Sequence, residues 1–293
     1  MRQAAICWSR KSRNRITKSG VGTLVVSGST NSFTGGATVA AGQLLLADGS
    51  TLTGTGPIVV GAGGKLAGES TIKGSVTLNT ETTGGAGNGG TLSPGTDGAS
   101  GEGVGKLTVQ SNVTFAAGST FTFQFLGGLH AGDNPTLQAT YAGSEWDLLS
   151  TTAQLVIGSG VVHLRVESMS GDGTLGTNGS GRSSTPFDVD ATAGDSFRWL
   201  FAHADGGLVY SGNINDHFVV EAGQVSGVYS ELSTSNFYGS YWFSSSGGDL
   251  YLNYAAVPEP GSFIFAALAS VGLIRRHRLT KTKRPDQENG PSV

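Results

Sequence analysis

Residues 20–46 read GVGTLVVSGSTNSFTGGATVAAGQLLL, and this stretch decides the fold class. Short runs of β-branched residues and leucine alternate in it with glycines, at 24–26, 37–39 and 43–46. Such runs between turn residues predict strands joined by tight turns, because glycine adopts positive φ angles without steric strain. Asn31 and Phe33 are predicted to form a corner, where the amide caps the backbone and the ring closes the stack.

The end of this stretch recurs further along the chain. Val39-Ala-Ala-Gly42 is followed 21 residues later by Val60-Gly-Ala-Gly63, and again by Phe115-Ala-Ala-Gly118 ahead of a run at 120–125. A step of about 20 residues suits one coil of a solenoid, whose coils bury their inner faces by stacking on their neighbours. The sequence therefore predicts an all-β protein built on a parallel β-helix, or β-solenoid. Further strands are predicted at 58–60, 65–67, 71–73 and 75–78. The glycine-rich residues 83–100 are predicted to be a loop or loose coil.

The same stretch carries the elements of a known repeat. These are Gly-x-Gly-x-Leu at 20–24, Ser-Gly at 27–28, Asn-x-Phe-x-Gly-Gly at 31–36 and Val-x-Ala-Gly-x-Leu at 39–44. In this order they resemble the autotransporter-associated β-strand repeat. The resemblance implies coils of parallel β-helix in a secreted or surface protein.

The composition changes near residue 129. Residues 129–254 hold 16 aromatic residues, whereas residues 20–128 hold five. Many runs in the later part alternate apolar and polar residues, which is typical of half-buried strands. They lie at 146–149, 154–157, 161–166, 197–203, 207–210, 217–220, 238–244 and 249–254. This further β-rich region is interpreted as a continuation or cap of the solenoid, with a separate β-sandwich as the alternative.

Three consecutive segments near the C-terminus indicate a membrane segment. Val257-Pro258-Glu259-Pro260 opens a polar hinge, Phe263–Ile274 is apolar, and Arg275, Arg276 and Arg278 follow. A helix over 258–274 would be about 26 Å long, marginally enough to cross a bilayer if the arginines snorkel. The basic cluster should stay cytoplasmic, which places the residues before Val257 outside. We therefore predict a short C-terminal transmembrane helix. A buried helix or a plain tail anchor is the alternative.

The order of these three segments resembles the PEP-CTERM sorting signal of bacterial exported proteins. The resemblance covers Val257–Arg278, although His277 interrupts the basic run and residues 279–293 follow it. It implies that an exosortase-like membrane enzyme is a partner, reads the Pro-Glu-Pro motif and removes the anchor. The implied sorting residues are Val257, Pro258, Glu259, Pro260, Arg275, Arg276 and Arg278.

Charge is strongly segregated along the chain. The whole chain carries −3, but residues 1–19 hold six basic residues and no acid, and residues 275–293 hold six basic residues and two acids. Residues 20–274 therefore carry six basic against nineteen acidic residues, a net charge of −13. A body this acidic offers no basic face to a phosphate backbone, so we expect no nucleic-acid partner.

Five regions follow from these patterns. They are a basic segment at 1–19, the repeat and solenoid at 20–128, the aromatic-richer region at 129–254, the sorting signal at 255–278 and a tail at 279–293. Residues 1–19 lack the apolar core of a signal peptide, so we expect that the true start lies upstream of this sequence. The single cysteine, Cys7, permits no disulfide within the chain.

Motifs for catalysis are sparse. Gly194-Asp-Ser-Phe197 has the residues of some lipase nucleophile blocks, but it enters a predicted strand, and Asp216-His217 has the wrong spacing for the partner residues. The five histidines lack the spacing of a metal site, so no cofactor or metal is expected. Weak calcium binding by Asp172, Asp188 and Asp190 is an alternative.

Two other patterns suit carbohydrate chemistry. Glu145 and Asp147, and likewise Asp188 and Asp190, would share one face of a strand, as paired catalytic carboxylates require. The aromatic side chains that would stack on sugar rings are Phe237, Tyr238, Tyr241 and Trp242, for which a core position is the competing interpretation.

Taken together, the sequence predicts a non-enzymatic, exported bacterial surface or matrix protein that is transiently anchored through 258–274. An extracellular polysaccharide is a further candidate partner. The alternatives are a polysaccharide-acting enzyme on a β-helix and an adhesin or carbohydrate-binding protein.

Overall fold

The computed structural model describes residues 4–6, 15–79, 89–95, 103–125, 140–168, 196–223, 229–231, 235–236 and 239–256. The regular structure of these residues is β-strand, apart from short helical turns such as the 3-10 helix Ile214–His217. The described part of the chain is therefore all-β, as the sequence predicts.

The strands are numbered in chain order. They are β1 (Ala4–Ile6), β2 (Ile16–Lys18), β3 (Thr23–Val26), β4 (Ala37–Val39), β5 (Gly42–Leu52), β6 (Ile58–Val60), β7 (Gly64–Ile72), β8 (Val76–Leu78), β9 (Thr91–Pro94), β10 (Lys106–Val109), β11 (Val113–Phe115), β12 (Thr120–Phe125), β13 (Leu148–Thr151), β14 (Leu155–Ile157), β15 (Val162–Ser168), β16 (Ser196–Ala204), β17 (Leu208–Val209), β18 (Phe218–Gly223), β19 (Tyr229–Glu231), β20 (Ser235–Asn236), β21 (Gly239–Ser246) and β22 (Asp249–Ala256).

The first face of the solenoid is a sheet of seven parallel strands, in the order β2, β4, β6, β8, β11, β14 and β17. Equivalent residues stack from coil to coil along this sheet. The stack that begins at Ile16 continues through Ala37, Ile58, Val76, Val113, Leu155 and Leu208. In β4, β6, β8, β11 and β14 one less buried residue lies between two buried ones, so each of these coils adds an apolar layer to the core.

The second and third faces belong to one bent sheet of fifteen strands. The long strands β5 and β7 turn the corner between these faces. The first half of β7 pairs with β9, and its second half pairs with β10. Gly68 lies at the bend of β7 with a φ of +139°, and a Cβ there would come within 2.1 Å of the Leu46 carbonyl oxygen. Only glycine fits this corner, because both the backbone angle and the close approach exclude a side chain.

The core is a stack of like side chains inside the three faces. On the second face the inward row runs through Leu24, Leu44, Leu66, Leu92, Phe121, Leu164 and Val220. In later coils aromatic rings fill the interior, with the rings of Phe121 and Phe201 5.7 Å apart and those of Phe218 and Phe243 4.8 Å apart. The aromatic-richer region thus fills the same core with larger side chains.

The strands after residue 140 extend the faces already formed. β13 pairs in parallel with β10, β14 with β11 and β15 with β12. Antiparallel strands then complete the sheet, since β19 pairs with β18 and β22 pairs with both β16 and β21. The described strands between 140 and 223 therefore continue the solenoid, and the antiparallel strands lie at its C-terminal end.

The corner predicted at Asn31 and Phe33 is confirmed. The Asn31 side chain is buried and its Nδ2 donates to the carbonyl oxygens of Ser27 at 3.1 Å and Gly28 at 2.8 Å, while Phe33 is also buried. The loop predicted over 83–100 is wrong at β9, which pairs in parallel with β7 and β12. The Thr-Leu-Ser-Pro sequence of β9 lies between glycines, which is typical of a loop. A strand forms there because Leu92 pairs with Leu66 on one side and with Phe121 on the other.

Candidate functional site

The sorting residues predicted from the sequence lie outside the described residues. They are Val257, Pro258, Glu259, Pro260, Arg275, Arg276 and Arg278. The last described strand, β22, ends at Ala256, directly before Val257 in the chain. Within the ranges given above, none of the helices has the length and apolar character needed to cross a bilayer. The predicted helix over 258–274 also lies beyond those ranges.

The paired carboxylates expected at Glu145 and Asp147 do not share a strand face. Glu145 lies in a turn, where its backbone N–H donates to the Tyr141 carbonyl oxygen at 2.9 Å. Asp147 is fully buried just before β13. The prediction is wrong because this part of the chain pairs only through isolated bridges at Trp146 before β13 begins, so the two-residue period of a strand does not apply. The other candidate carboxylates, Asp172, Asp188 and Asp190, are outside the described residues.

Asp147 instead joins neighbouring coils. Its Oδ1 accepts from the Gly105 N–H at 3.0 Å and its Oδ2 accepts from the Gln124 N–H at 2.9 Å. The Gln124 side chain accepts from the Gly103 N–H at 2.8 Å and donates to Glu167 at 2.9 Å. Burial raises the pKa of Asp147 well above its ordinary range, although both backbone N–H groups act in the opposite direction. These contacts tie three successive coils together at one corner.

A second cluster, the Glu221 cluster, joins β15 to β18. Glu221 is buried and accepts hydrogen bonds from His163 Nδ1 and Arg165 Nε, each at 2.8 Å. Burial alone would raise the pKa of Glu221, but the hydrogen bonds from His163 and Arg165 outweigh it and leave that pKa below its ordinary value. Glu221 is therefore held as a carboxylate between two donors.

A third cluster, the His203 cluster, joins β16 to β22 and is partly exposed. His203 Nδ1 lies 2.6 Å from Asp249 Oδ1, and its Nε2 lies 2.9 Å from Asp205 Oδ1. The Tyr251 hydroxyl donates to the other Asp249 oxygen at 2.8 Å, and the Arg198 guanidinium lies 3.6 Å from the centre of the Tyr251 ring. His203 and Asp249 are directly opposite each other in the antiparallel register, so the strand pairing itself places them together.

The charges in the His203 cluster reinforce one another. The hydrogen bond to Asp249 raises the pKa of His203, partial burial opposes this, and Asp205 adds to the rise. Burial and the bond to Asp249 raise the pKa of Tyr251 to about 12. The histidine thus favours its charged form while the tyrosine stays protonated.

These arrangements have a limited chemical repertoire. Both ring nitrogens of His203 face carboxylates, so neither is directed towards a hydroxyl that it could activate. The Glu221 carboxylate is engaged by two cationic or donor side chains. Among the described residues, no group of three or more His, Cys, Asp or Glu side chains is arranged to hold a metal ion. The Glu221 and His203 clusters act as ion pairs that link strands, and the Asp147 cluster links coils through hydrogen bonds.

The aromatic residues proposed to stack on sugars do not form one platform in the described part of the chain. Phe237 and Tyr238 lie outside it. Tyr241 is buried, and its ring centre lies 6.4 Å from that of Phe243. Trp242, the next residue, points outward with 41% of its surface exposed. The core interpretation is therefore correct for Tyr241, and Trp242 is the member of the set that faces solvent.

Sequence reasoning missed His203, Asp205 and Asp249 as a group. His203 and Asp249 are 46 residues apart, and only the register between β16 and β22 brings them together. The signal available in the sequence was weak: one histidine near the end of an aromatic strand, followed by an aspartate two positions later.

The first coils match a known repeat. The family model described as the passenger-associated-transport-repeat matches residues 16–46, which is 31 of the 293 residues. The match supports the autotransporter-associated β-strand repeat predicted for 20–46, and it starts four residues earlier, at the first residue of β2. None of the curated proteins with which the chain was compared matches it.

Proposed function

We propose that this chain is an exported structural protein of a bacterial cell surface or extracellular matrix. The observation that carries the proposal is the transport-associated repeat at 16–46, which forms the first coils of a parallel solenoid. A solenoid gains its stability from neighbouring coils, so it can extend from a surface without disulfides or metals. The net charge of −13 over residues 20–274 keeps such a body soluble outside the cell.

The proposal includes a route to the surface. The Pro258-Glu259-Pro260 hinge is presented to an exosortase-like enzyme, the apolar residues 263–274 hold the chain in the membrane, and the arginines at 275, 276 and 278 fix its orientation. Even a helix over the whole of 258–274, about 26 Å long, is short for permanent residence, which suits an anchor that is later removed. The position of β22 supports this arrangement, because this last described strand ends at Ala256, directly before the hinge in the chain.

A non-enzymatic role is part of the proposal. The His, Asp and Glu side chains of the three clusters are engaged by other groups of the solenoid, either side chains or backbone N–H groups, as expected of groups that stabilise it. A polysaccharide-acting enzyme on the same scaffold would need carboxylates open to substrate and spaced for acid–base chemistry. An adhesin would need exposed aromatic side chains, of which Trp242 is the described candidate.

The sorting step is tested by deleting residues 257–278 in a host that encodes an exosortase. The expected result is release of the body into the medium or an unprocessed chain, seen by cell fractionation and mass spectrometry. Deletion of the tail 279–293 is the matched control and should leave localisation and processing unchanged. If the chain lacking 257–278 keeps the location and mass of the wild type, the proposed signal is wrong.

The motif itself is tested by replacing Pro258 and Pro260 with alanine in the full-length chain. Processing should stop while membrane association remains, since residues 263–274 are untouched. An isogenic host without the exosortase should give the same unprocessed chain. Normal processing of the double variant would show that the Pro-Glu-Pro motif is not what the enzyme reads.

A further inference from the structure

The His203 cluster has a geometry that only a charged imidazole satisfies fully. Asp249 Oδ1 lies 2.6 Å from Nδ1 and Asp205 Oδ1 lies 2.9 Å from Nε2. A neutral imidazole carries a proton on one nitrogen only, so one of the two carboxylates would face a lone pair at hydrogen-bond distance. An imidazolium donates to both carboxylates at once. With both aspartates ionised, the two contacts therefore favour the protonated ring.

The position of the cluster gives it a mechanical role. His203 is near the end of β16, the last parallel strand of the third face, and Asp249 is the first residue of β22, which returns antiparallel along it. Nearby, the Ala204 N–H donates to the Gly248 carbonyl oxygen at 2.9 Å. The cluster thus fastens the beginning of β22, and with it the hairpin of β21 and β22, to the solenoid.

We propose that the His203 cluster is a pH-operated clasp that holds the β21–β22 hairpin on the solenoid while the imidazole is protonated and loosens it when the proton is lost. In the closed state one cation bridges Asp205 and Asp249. In the open state the imidazole is neutral, and the carboxylates of Asp205 and Asp249 repel each other. Because Asp249 is on β22 and Asp205 is in the turn after β16, this repulsion acts between those two elements.

The surroundings of the ring favour this behaviour. Besides His203, the charged residue of β16 is Arg198, whose guanidinium lies over the Tyr251 ring. The flanking strands β13 and β21 place the uncharged Ser150 opposite His203 and Ser246 opposite Asp249. With 39% of its side chain exposed, His203 exchanges protons with solvent directly. The electrostatic balance between the charged and neutral forms of His203 is therefore set by the two carboxylates of Asp205 and Asp249.

The direction of the pH response follows from linkage. The pKa of His203 is raised from its ordinary value of 6.5 by the bond to Asp249. The stabilisation is fully present below pH 6.5 and is lost as the pH rises through the folded-state pKa. Each unit between the folded and unfolded values changes the closing equilibrium about tenfold.

Hydrogen exchange of the full-length protein tests the clasp. Protection of the amides in 239–256 is measured at pH 6 and pH 9 by mass spectrometry, after correction for the intrinsic pH dependence of exchange. The expected result is a loss of protection at pH 9 in this hairpin but not in β5, which serves as the internal reference. The fold-loss should equal that calculated from the His203 pKa measured by NMR.

Two substitutions separate the clasp from other histidines. His203→Gln, which is neutral at both pH values, should give low hairpin protection that does not change with pH. His203→Lys, which stays charged up to about pH 10, should give high protection that does not change either. If both variants reduce folding, Asp205→Asn provides the second test and should shift the loss to lower pH. A wild-type protection that is equal at both pH values, or a loss that persists in His203→Gln, would overturn the proposal.

Discussion

Replacing Glu221 with glutamine tests whether charge pairing holds the late coils together. In the wild type the Glu221 carboxylate accepts from His163 and Arg165, each at 2.8 Å. Glutamine keeps the size of the side chain but offers one acceptor oxygen, and its NH₂ group faces a donor. The change therefore leaves the Arg165 guanidinium and the His163 Nδ1 without the buried carboxylate that they contact.

The magnitude follows from burial. Removing one partner of a fully buried ion pair costs about 3–5 kcal/mol. The Glu221 side chain is 7% exposed but that of Arg165 is 23% exposed, so hydration of the Arg165 guanidinium offsets part of the lost stability. We expect a loss of about 3 kcal/mol, which corresponds to a fall in melting temperature of about 6–12 °C for a chain of this size.

The assay is thermal unfolding by circular dichroism and calorimetry between pH 3 and pH 7. The pKa of Glu221 lies below its ordinary value of 4.5, so its contribution is present above pH 4.5 and is lost as the pH falls through the folded-state pKa. Glu221→Gln should remove this part of the acid dependence. Asp48→Asn, at an exposed carboxylate, is the control and should change stability by no more than about 0.5 kcal/mol. The reasoning is wrong if Glu221→Gln has the same melting temperature as the wild type, or if its melting temperature falls as steeply between pH 4.5 and pH 3.

Two further predictions concern the coils. Leu66→Ala, in the middle of the inward row of the second face, should lower the free energy of unfolding by about 3–5 kcal/mol in urea denaturation; a loss below about 1 kcal/mol would mean that the row is not the core. Gly68→Ala should destabilise far more than Gly49→Ala, because the Gly68 Cβ would meet the Leu46 carbonyl oxygen at 2.1 Å whereas the Gly49 Cβ meets nothing within 4 Å. Equal melting temperatures for the two alanine variants would contradict the close packing at the β7 corner.

The early coils could be predicted because their spacing is regular. Ile16, Ala37 and Ile58 are equivalent positions 21 residues apart, so the amino-acid sequence repeats with the same period as the coils. Beyond Val76 the next equivalent residues are Val113 and Leu155, and the intervals become longer and unequal. The additional residues of these longer coils lie between the strands of different faces, so the register of the strands is unchanged. The sequence, however, no longer repeats at a fixed interval. For this reason the sequence predicts a loop where β9 forms.

The ion-pair clusters could not be predicted for a related reason. Parallel coils bring together residues that are one coil apart, and the later coils have variable length. His163 and Glu221 are 58 residues apart, and Gln124 and Glu167 are 43 apart, so no fixed spacing links such partners. The sequence showed which residues carry charge, whereas only the register of the strands shows which charges meet.

The distribution of these clusters follows from how a solenoid must end. A parallel coil in the interior satisfies its backbone through the coil on either side, and the interior of the early coils is mainly Leu, Val and Ile. Among the described residues no further parallel coil follows the last strands, and an open strand edge invites pairing with another chain. Antiparallel strands replace the missing coil, and on β21 the Asn215 side chain accepts from the Phe243 N–H at 2.7 Å and donates to its carbonyl oxygen at 3.2 Å. An amide side chain thus pairs with this edge as a neighbouring strand would. These antiparallel strands do not add a further layer to the stacked apolar rows of the parallel coils. Contacts that depend on charge, such as those of His203 and Glu221, therefore contribute to stability at this end of the solenoid.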